Sequence, residues 1–267
     1  MIFFDTHCHT NASFCGKDDM TIEWYRERSV DAAPIVITDH SSHIFSPEKT
    51  EELVWWAWRD APDPVEFFAR NKEEGFERLE KYYDRLSRLR GDGVLMGTEV
   101  DVIPDGTVIF PETLLKRMDF VIGAIHGVRG LREMPGGFYD ESAVFANYRL
   151  RASALLDAGV NSVAHPFLEW KIHNKKRDAL PKLLDWLVDA AKDAGAALEV
   201  NSHNPFPEMD LPMIRKSIEK GVKLSIATDT HSKSEFGDFT YHVEILKLAG
   251  IRESDYDDIL LTKSLNR

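Results

Sequence analysis

The chain has 267 residues, 43% of them apolar and 10% aromatic, a composition that supplies a hydrophobic core for one or two globular domains. Its 45 acidic and 33 basic residues give a formal net charge of −12, which repels polyanions and argues against long nucleic acid as the main partner. Two cysteines and the lack of any long apolar run leave little scope for a disulfide framework, a membrane span or a signal peptide, and predict a cytoplasmic protein.

Apolar strand-like segments alternate with amphipathic segments along the chain. The predicted strands are residues 2–6, 34–38, 94–100, 120–125, 162–164, 197–201 and 223–228. The predicted helices, in which apolar residues recur three and four apart, include residues 21–32, 65–90, 141–158, 180–194, 212–220 and 241–249. Such alternation predicts a parallel sheet with helical crossovers.

About seven such units without a visible boundary predict a single α/β domain over residues 1–267, closed into a barrel. A doubly wound open sheet is the alternative. Residues 44–64 interrupt the rhythm and are predicted to form an insertion, either a lid or an extra helix. This segment carries Trp55, Trp56 and Trp58.

Each predicted strand has a potential metal ligand at or just beyond its C-terminal end. In chain order these residues are His7 and His9, Asp39 and His40, Glu99, His126, His165, His203, and Asp229 and His231. The C-terminal strand ends of a parallel α/β barrel converge on one face, which holds the active site. One histidine at a strand end is usually structural, but a full set in phase with the strands predicts a metal centre. His43 and His242 are out of phase and are predicted to be structural.

The motifs resemble those of a known family when they are taken together and in order. They are Asp5-Thr6-His7-Cys8-His9, Thr38-Asp39-His40-Ser41, Gly97-Thr98-Glu99, His126, Ala164-His165-Pro166 and Asp229-Thr230-His231. Over about residues 2–245 the chain resembles the PHP (polymerase and histidinol phosphatase) family. The resemblance implies a distorted seven-stranded β/α barrel, two or three zinc, manganese or iron ions, and hydrolysis of phosphoesters.

The same resemblance implies the ligands of the first two ions. The first ion would be held by His7, His9, Glu99 and Asp229. The second would share Glu99 as a bridge and add His126 and His165.

A third ion would take His40, His231 and a residue from the loop after His9. The family usually offers a histidine or an aspartate in that loop, whereas here Cys15 stands closest to the expected position. A thiolate binds zinc well, so Cys15 is either an unusual third-site ligand or a small buried residue.

Phosphoester hydrolysis on such a centre needs an activated water and neutralised phosphoryl oxygens, which clustered divalent ions provide. Glu99 and Asp229 would hold the ions that activate the water. Asp39 or Asp5 is expected to orient histidine ligands, and His231 or His40 would protonate the leaving group if the third ion were absent.

Cations beyond the metal ions are expected to bind the substrate's phosphate. Arg129, Lys171 and Lys233 follow ligand histidines in loops that the barrel places on the catalytic face. A local basic rim on an acidic protein fits a small anionic substrate.

The leading hypothesis is therefore a small-molecule phosphatase, with histidinol phosphate as the candidate substrate. A nucleotide or oligonucleotide phosphoesterase is the second possibility. An amidohydrolase is the third, although those barrels often bridge their ions through a lysine, and Glu99 is the better bridge here. A metal-stabilised module without activity is ranked last, because the first two ligand sets are complete.

Overall fold

The computed structural model describes residues 3–29, 34–46, 64–128, 130–131 and 139–261. Within these residues, seven parallel strands pair in chain order from β1 to β7. The first and last strands also pair, with Asp5 opposite Ile226. The sheet is therefore a closed barrel, which confirms the predicted α/β barrel and excludes the open doubly wound sheet.

The strands are short, and their bounds agree with prediction except at the first. They are β1 Asp5–Cys8, β2 Ile35–Ile37, β3 Val94–Asp101, β4 Phe120–Ala124, β5 Ser162–Val163, β6 Ala197–Asn201 and β7 Leu224–Ala227. Strand β1 begins three residues later than predicted. Phe3 lies before the strand, and its ring is buried in the core 5.2 Å from that of Phe239. Its apolar side chain therefore reflects core packing and not membership of a strand.

The helices lie between the strands, and the long ones agree with prediction within a few residues. They are α1 Ile22–Ser29, α2 Ser41–Phe45, α3 Pro64–Leu89, α4 Glu112–Leu115, α5 Glu141–Asp157, α6 Leu168–Ile172, α7 Leu180–Ala194, α8 Pro207–Lys220, α9 Thr240–Leu248 and α10 Tyr256–Ile259, the last preceded by a 3-10 turn over Glu253–Asp255. Helix α8 begins at Pro207 and not at Pro212, because the first helical position suits proline and the second proline is accommodated inside the helix. Among the described residues, no helix combines the length and apolar character needed to cross a lipid bilayer.

Alternation along the strands decides which side chains enter the barrel. In β4, Phe120 and Ile122 join a small apolar cluster with Val36, whereas the intervening Val121 packs with the larger core that includes the helices. The same period of two turns Glu99 of β3 inward, and Glu99 is completely buried. The barrel interior is thus apolar toward the N-terminal strand ends and carries ionisable groups toward the C-terminal ends.

Only the borders of the predicted tryptophan-rich insertion belong to the described part of the chain. Helix α2 ends at Phe45 and α3 begins at Pro64, and residues 47–63, with the three tryptophans, lie outside the described residues. Helix α3 packs closely on α2, since a Cβ atom on Gly75 would lie 2.3 Å from the Phe45 ring. This contact holds α2 in place directly after His40.

His242 on helix α9 ties that helix to the last two strands. Its Nε2 atom lies 3.0 Å from the Val200 carbonyl oxygen and 3.1 Å from that of Ala227, and the side chain is fully buried. Two carbonyl acceptors at Nε2 require a proton on that nitrogen, so the neutral ring has the Nε2–H tautomer.

We expect His242 to make the protein less stable as the pH falls below 6.5. Burial lowers the pKa of His242 from 6.5 to about 4. Between these values the unfolded chain binds a proton that the folded chain does not. The stabilisation is therefore complete above pH 6.5 and is lost on acidification toward pH 4, by up to about 3 kcal/mol.

Urea unfolding of the wild type and of His242→Gln over about pH 5 to 7 measures this effect. Glutamine keeps an N–H donor but does not titrate, and the other titrating groups cancel in the difference between the two proteins. The free energy of unfolding should fall more steeply with acidification in the wild type. Parallel pH profiles for the two proteins would contradict the expectation.

Candidate metal centre

The C-terminal strand ends bring four of the expected ligands into one group. The Nε2 atoms of His7 and His9 are 3.0 Å apart. Both lie close to the same oxygen of Glu99, at 3.4 and 3.5 Å, and to the same oxygen of Asp229, at 3.4 and 3.0 Å. These are the four residues that the resemblance implied for a first ion.

Glu99 also faces a second group through its other oxygen. Its Oε1 atom lies 3.2 Å from His165 Nε2 and 3.6 Å from His126 Nε2. Its Oε2 atom faces His7 and His9 and lies 2.7 Å from His40 Nδ1. One carboxylate that divides its two oxygens between two sets of histidines has the geometry of a bridging ligand.

A third group contains Cys15. One possible ligand atom each from His9, Cys15, His40 and His231 lies within 4.8 Å of all the others. The loop that carries Cys15 folds back tightly, because a Cβ atom on Gly16 would lie 2.1 Å from the Thr10 carbonyl oxygen. The structure therefore places Cys15 beside both histidines named for a third ion.

Carboxylates outside the centre fix the rings of His7 and His126. His7 Nδ1 lies 2.9 Å from Glu199 Oε2, and His126 Nδ1 lies 2.7 Å from Asp101 Oδ1. A carboxylate accepts, so each Nδ1 atom carries the proton and each Nε2 lone pair points into the centre. Histidines that hold metal ions are oriented in this way.

His9 is oriented through a serine. Its Nδ1 atom lies 3.3 Å from Ser13 Oγ, and that hydroxyl donates to Asp39 Oδ1 at 2.6 Å. Asp39 also accepts from the backbone N–H and the hydroxyl of Thr10, and from the Tyr82 hydroxyl. The Asp39 oxygens are therefore engaged within the protein, and Ser13 connects Asp39 to the His9 ring.

His231 is oriented by a chain of two further residues. Its Nδ1 atom lies 3.1 Å from His203 Nε2, and His203 Nδ1 lies 2.8 Å from Glu235 Oε1. The second Glu235 oxygen accepts from the backbone N–H of His231 at 2.9 Å. With Nδ1 donating to His203, the buried Nε2 atom of His231 has no hydrogen-bond partner among the described residues, and it faces the centre.

The sequence named His203 as a potential metal ligand, whereas the structure places it as an orienting residue. The sequence assigned no role to the orienting residues Ser13, Asp101, Glu199 and Glu235. Asp101 and Glu199 had a usable signal, since each lies on the inward face of a strand at its C-terminal end. Ser13, His203 and Glu235 lie in loops, where no period indicates which side chains meet.

The electrostatics favour a bound cation. Burial would raise the pKa of Glu99 and of Asp229, but neighbouring histidines hold both pKa values well below the ordinary range, so both groups are ionised. Burial, followed by the charges of Asp229 and Glu99, raises the pKa of the Cys15 thiol, so a thiolate here needs a positive charge nearby. Inward lone pairs and carboxylates this close repel one another unless protons or a metal cation lie between them. The nitrogen, oxygen and sulfur donors suit divalent zinc or iron, and the nitrogen and oxygen donors also suit manganese.

A cavity of about 400 Å³ opens over the centre. It is lined by Cys15, His40, His126, His165, Leu168, Glu169, Ile172, His203, Asn204, Asp229 and His231. Helix α6 supplies the apolar wall of Leu168 and Ile172. This cavity is where a substrate would meet the centre.

The lysines expected to bind substrate do not line this cavity. Lys171 Nζ donates to the Pro205 carbonyl oxygen at 2.8 Å, and Lys233 Nζ pairs with Asp19 at 2.7 Å. Arg129, the third expected residue, lies outside the described residues.

Two residues of the centre have an unusual backbone. His165 and Asp229 have φ values of 25° and 51°, in the left-handed region that side chains other than glycine rarely adopt. Such strain collects at functional sites, where the surrounding structure fixes the geometry.

A closed seven-stranded β/α barrel with histidines and carboxylates at its C-terminal strand ends defines the class of this protein. The PHP domain family model matches residues 5–203. The chain belongs to the PHP family.

Individual proteins extend this comparison. The chain is 25% identical to a probable phosphatase of a Thermoanaerobacter species, over 62% of this chain and 64% of the relative. It is 29% identical to the DNA polymerase/3'-5' exonuclease PolX of Bacillus subtilis, over 58% of this chain and 26% of that protein. These matches span less than two thirds of either relative.

A solved structure shows the same fold. It is the histidinol phosphate phosphatase of Lactococcus lactis, crystallised with zinc, L-histidinol and phosphate. The TM-score is 0.57 at 13% identity, and the alignment covers 94% of both chains.

Proposed function

We propose that this chain is a single-domain, metal-dependent phosphatase that hydrolyses a small phosphorylated metabolite. The observation that carries the proposal is the orientation of the histidines. In four histidines the Nδ1 atom contacts a partner outside the centre, so that Nε2 faces Glu99 or Asp229. These are His7, His9, His126 and His231. The similarity to a probable phosphatase supports phosphoester chemistry.

The proposed ligands are the sets that the family resemblance implies, supported by the short distances among them. They are His7, His9, Glu99 and Asp229 for one ion, Glu99, His126 and His165 for a second, and His40 and His231 for a third. Bound divalent ions supply Lewis-acid activation of water and neutralise charge on the phosphoryl oxygens.

The other residues hold this arrangement in place. Glu199, Asp101 and Asp39 keep three histidine rings in one tautomer and one orientation. Asp39 acts through Ser13 on His9, so its proposed role is positioning. His231 lies at the cavity wall and would contact the leaving group if the third ion were absent, and His203 fixes its ring.

The shape of the cavity favours a small substrate. A cavity of about 400 Å³ with one apolar wall accommodates a phosphomonoester of metabolite size. Histidinol phosphate is the named candidate, because the solved neighbour was crystallised with L-histidinol and phosphate. A nucleotide or short oligonucleotide is the second candidate, favoured by the similarity to a polymerase with 3'-5' exonuclease activity.

Phosphate release from a substrate panel tests the proposal. The protein is loaded in turn with Zn²⁺, Mn²⁺ or Fe²⁺ and assayed with histidinol phosphate, other phosphomonoesters, mononucleotides, a phosphodiester and a single-stranded oligonucleotide. Turnover of phosphomonoesters above the diester and the oligonucleotide is expected. Preferred cleavage of the oligonucleotide would favour the second candidate, and metal-loaded protein that releases no phosphate from any ester would contradict the proposal.

A further inference from the structure

We propose that the Cys15 thiolate is a metal ligand and that it makes the third ion site, formed with His40 and His231, selective for thiophilic ions such as Zn²⁺ over Mn²⁺. The inference rests on the proposed metal centre of this chain. It adds to that centre a sulfur ligand and a metal preference that the first two sites do not share.

The cluster around Cys15 can be assigned to two neighbouring ions. His9 belongs to the first group, since its Nε2 atom lies 3.0 Å from Asp229 and its Nδ1 atom contacts Ser13. We assign Cys15, His40 and His231 to a separate ion, and all three line the cavity. This ion would lie beside the first, since His40 Nδ1 is 2.7 Å from Glu99 Oε2 and His231 Nε2 is 3.3 Å from Asp229 Oδ1.

The backbone holds Cys15 at this position from both sides. The Gly16 N–H donates to the Ser13 carbonyl oxygen at 3.1 Å, and the Lys17 N–H donates to the His231 carbonyl oxygen at 3.0 Å. The second of these bonds fixes the cysteine loop to the segment that carries His231. The thiol is therefore placed against its proposed co-ligand by the fold itself.

The other cysteine supplies a matched comparison within the same chain. Cys8 lies between His7 and His9 in sequence, but alternation turns it to the opposite side, where it is fully buried in the outer apolar core. Cys8 has the same thiol chemistry and does not line the cavity.

The donor types determine the preference. One thiolate with two imidazoles is a zinc-type set, whereas Mn²⁺ favours carboxylate and water oxygens. The first two groups combine imidazole with the carboxylates of Glu99 and Asp229 and accept either ion. The third group contains the only sulfur among the proposed ligands, so the preference should be confined to it.

Titration with Co²⁺ tests the ligand directly, because a thiolate bound to Co²⁺ gives a charge-transfer absorption in the near ultraviolet that does not depend on catalysis. The wild type and Cys8→Ala should both show this band during the titration. Cys15→Ser should lose the band and bind about one equivalent less. Cys15→His should bind the full complement without the band, which also shows that the loop variant folds.

Metal competition tests the preference. At the third ion site, Cys15→His should lower the ratio of Zn²⁺ affinity to Mn²⁺ affinity by about tenfold or more relative to the wild type. An unchanged ratio would overturn the selectivity. A wild type that binds Co²⁺ without the band, or a band that persists in Cys15→Ser, would overturn the assignment of Cys15.

Phosphate release from the same samples separates this inference from the proposed function. Hydrolysis without the charge-transfer band would overturn the role of Cys15 and leave the phosphatase in place. The band without hydrolysis of any ester would overturn the phosphatase and leave the thiolate ligand in place.

Discussion

Replacing Glu99 with glutamine is expected to lower the kcat/KM of phosphoester hydrolysis by about a thousandfold or more. The reason is that its two oxygens face two groups, with His7 and His9 on one side and His126 and His165 on the other. Glutamine puts an amide N–H₂ where one oxygen was, and an N–H₂ group cannot coordinate an ion. Metal content should therefore fall as well, as mass spectrometry of the purified protein would measure.

Glu112→Gln is the matched control for this prediction. Glu112 is an exposed carboxylate that pairs with Lys116 at 2.8 Å, far in sequence from any proposed ligand. The control should retain the wild-type metal content and rate. Normal turnover by Glu99→Gln, with its ions retained, would contradict the bridging role.

Replacing Glu199 with glutamine is expected to weaken metal binding by about 10- to 100-fold while leaving the proposed ligands in place. The Glu199 carboxylate accepts from His7 Nδ1 at 2.9 Å, from the His165 N–H at 3.1 Å and from Asn201 Nδ2 at 2.7 Å. Glutamine keeps one acceptor oxygen for the last two partners. Its amide N–H then faces His7 and favours the tautomer whose Nε2 carries the proton.

Chelator competition on both variants separates positioning from ligation. Excess metal should restore most of the activity of Glu199→Gln, because its ligands are intact, but should not restore that of Glu99→Gln. A metal affinity in Glu199→Gln equal to that of the wild type would show that His7 does not depend on this partner.

The sequence predicts the fold and the face that carries the ligands, because the potential ligands recur with the same spacing as the strands. Apolar strands alternate with amphipathic helices, and the ligand residues fall in phase at the strand ends. In a parallel barrel, this placement predicts that the ligand residues share one face. The grouping of His7, Glu99 and Asp229 around one ion was implied by the family resemblance. The predicted start of helix α8 is too late, because Pro212 resembles a first helical residue whereas Pro207 occupies that position.

The sequence does not predict which way side chains in the loops point. Lys171 and Lys233 lie in loops after ligand histidines, yet each turns to a protein partner, one to a carbonyl oxygen and one to Asp19. His203 and Glu235 are 32 residues apart and meet only because two loops pack together at the barrel face. Loop order therefore predicts the neighbourhood of a residue but not its contacts.

The distance along the chain between His9 and Asp229, 220 residues, has a consequence for how the protein obtains its metal. The paired histidines are synthesised before Asp229, which follows β7, the strand that closes the barrel against β1. A nascent chain therefore presents isolated imidazoles, which hold divalent ions weakly, until β7 and Asp229 have been synthesised. The ions therefore bind after the barrel has closed and come from those available to the folded protein. The metal supply of the growth medium should then influence which ions are found after purification.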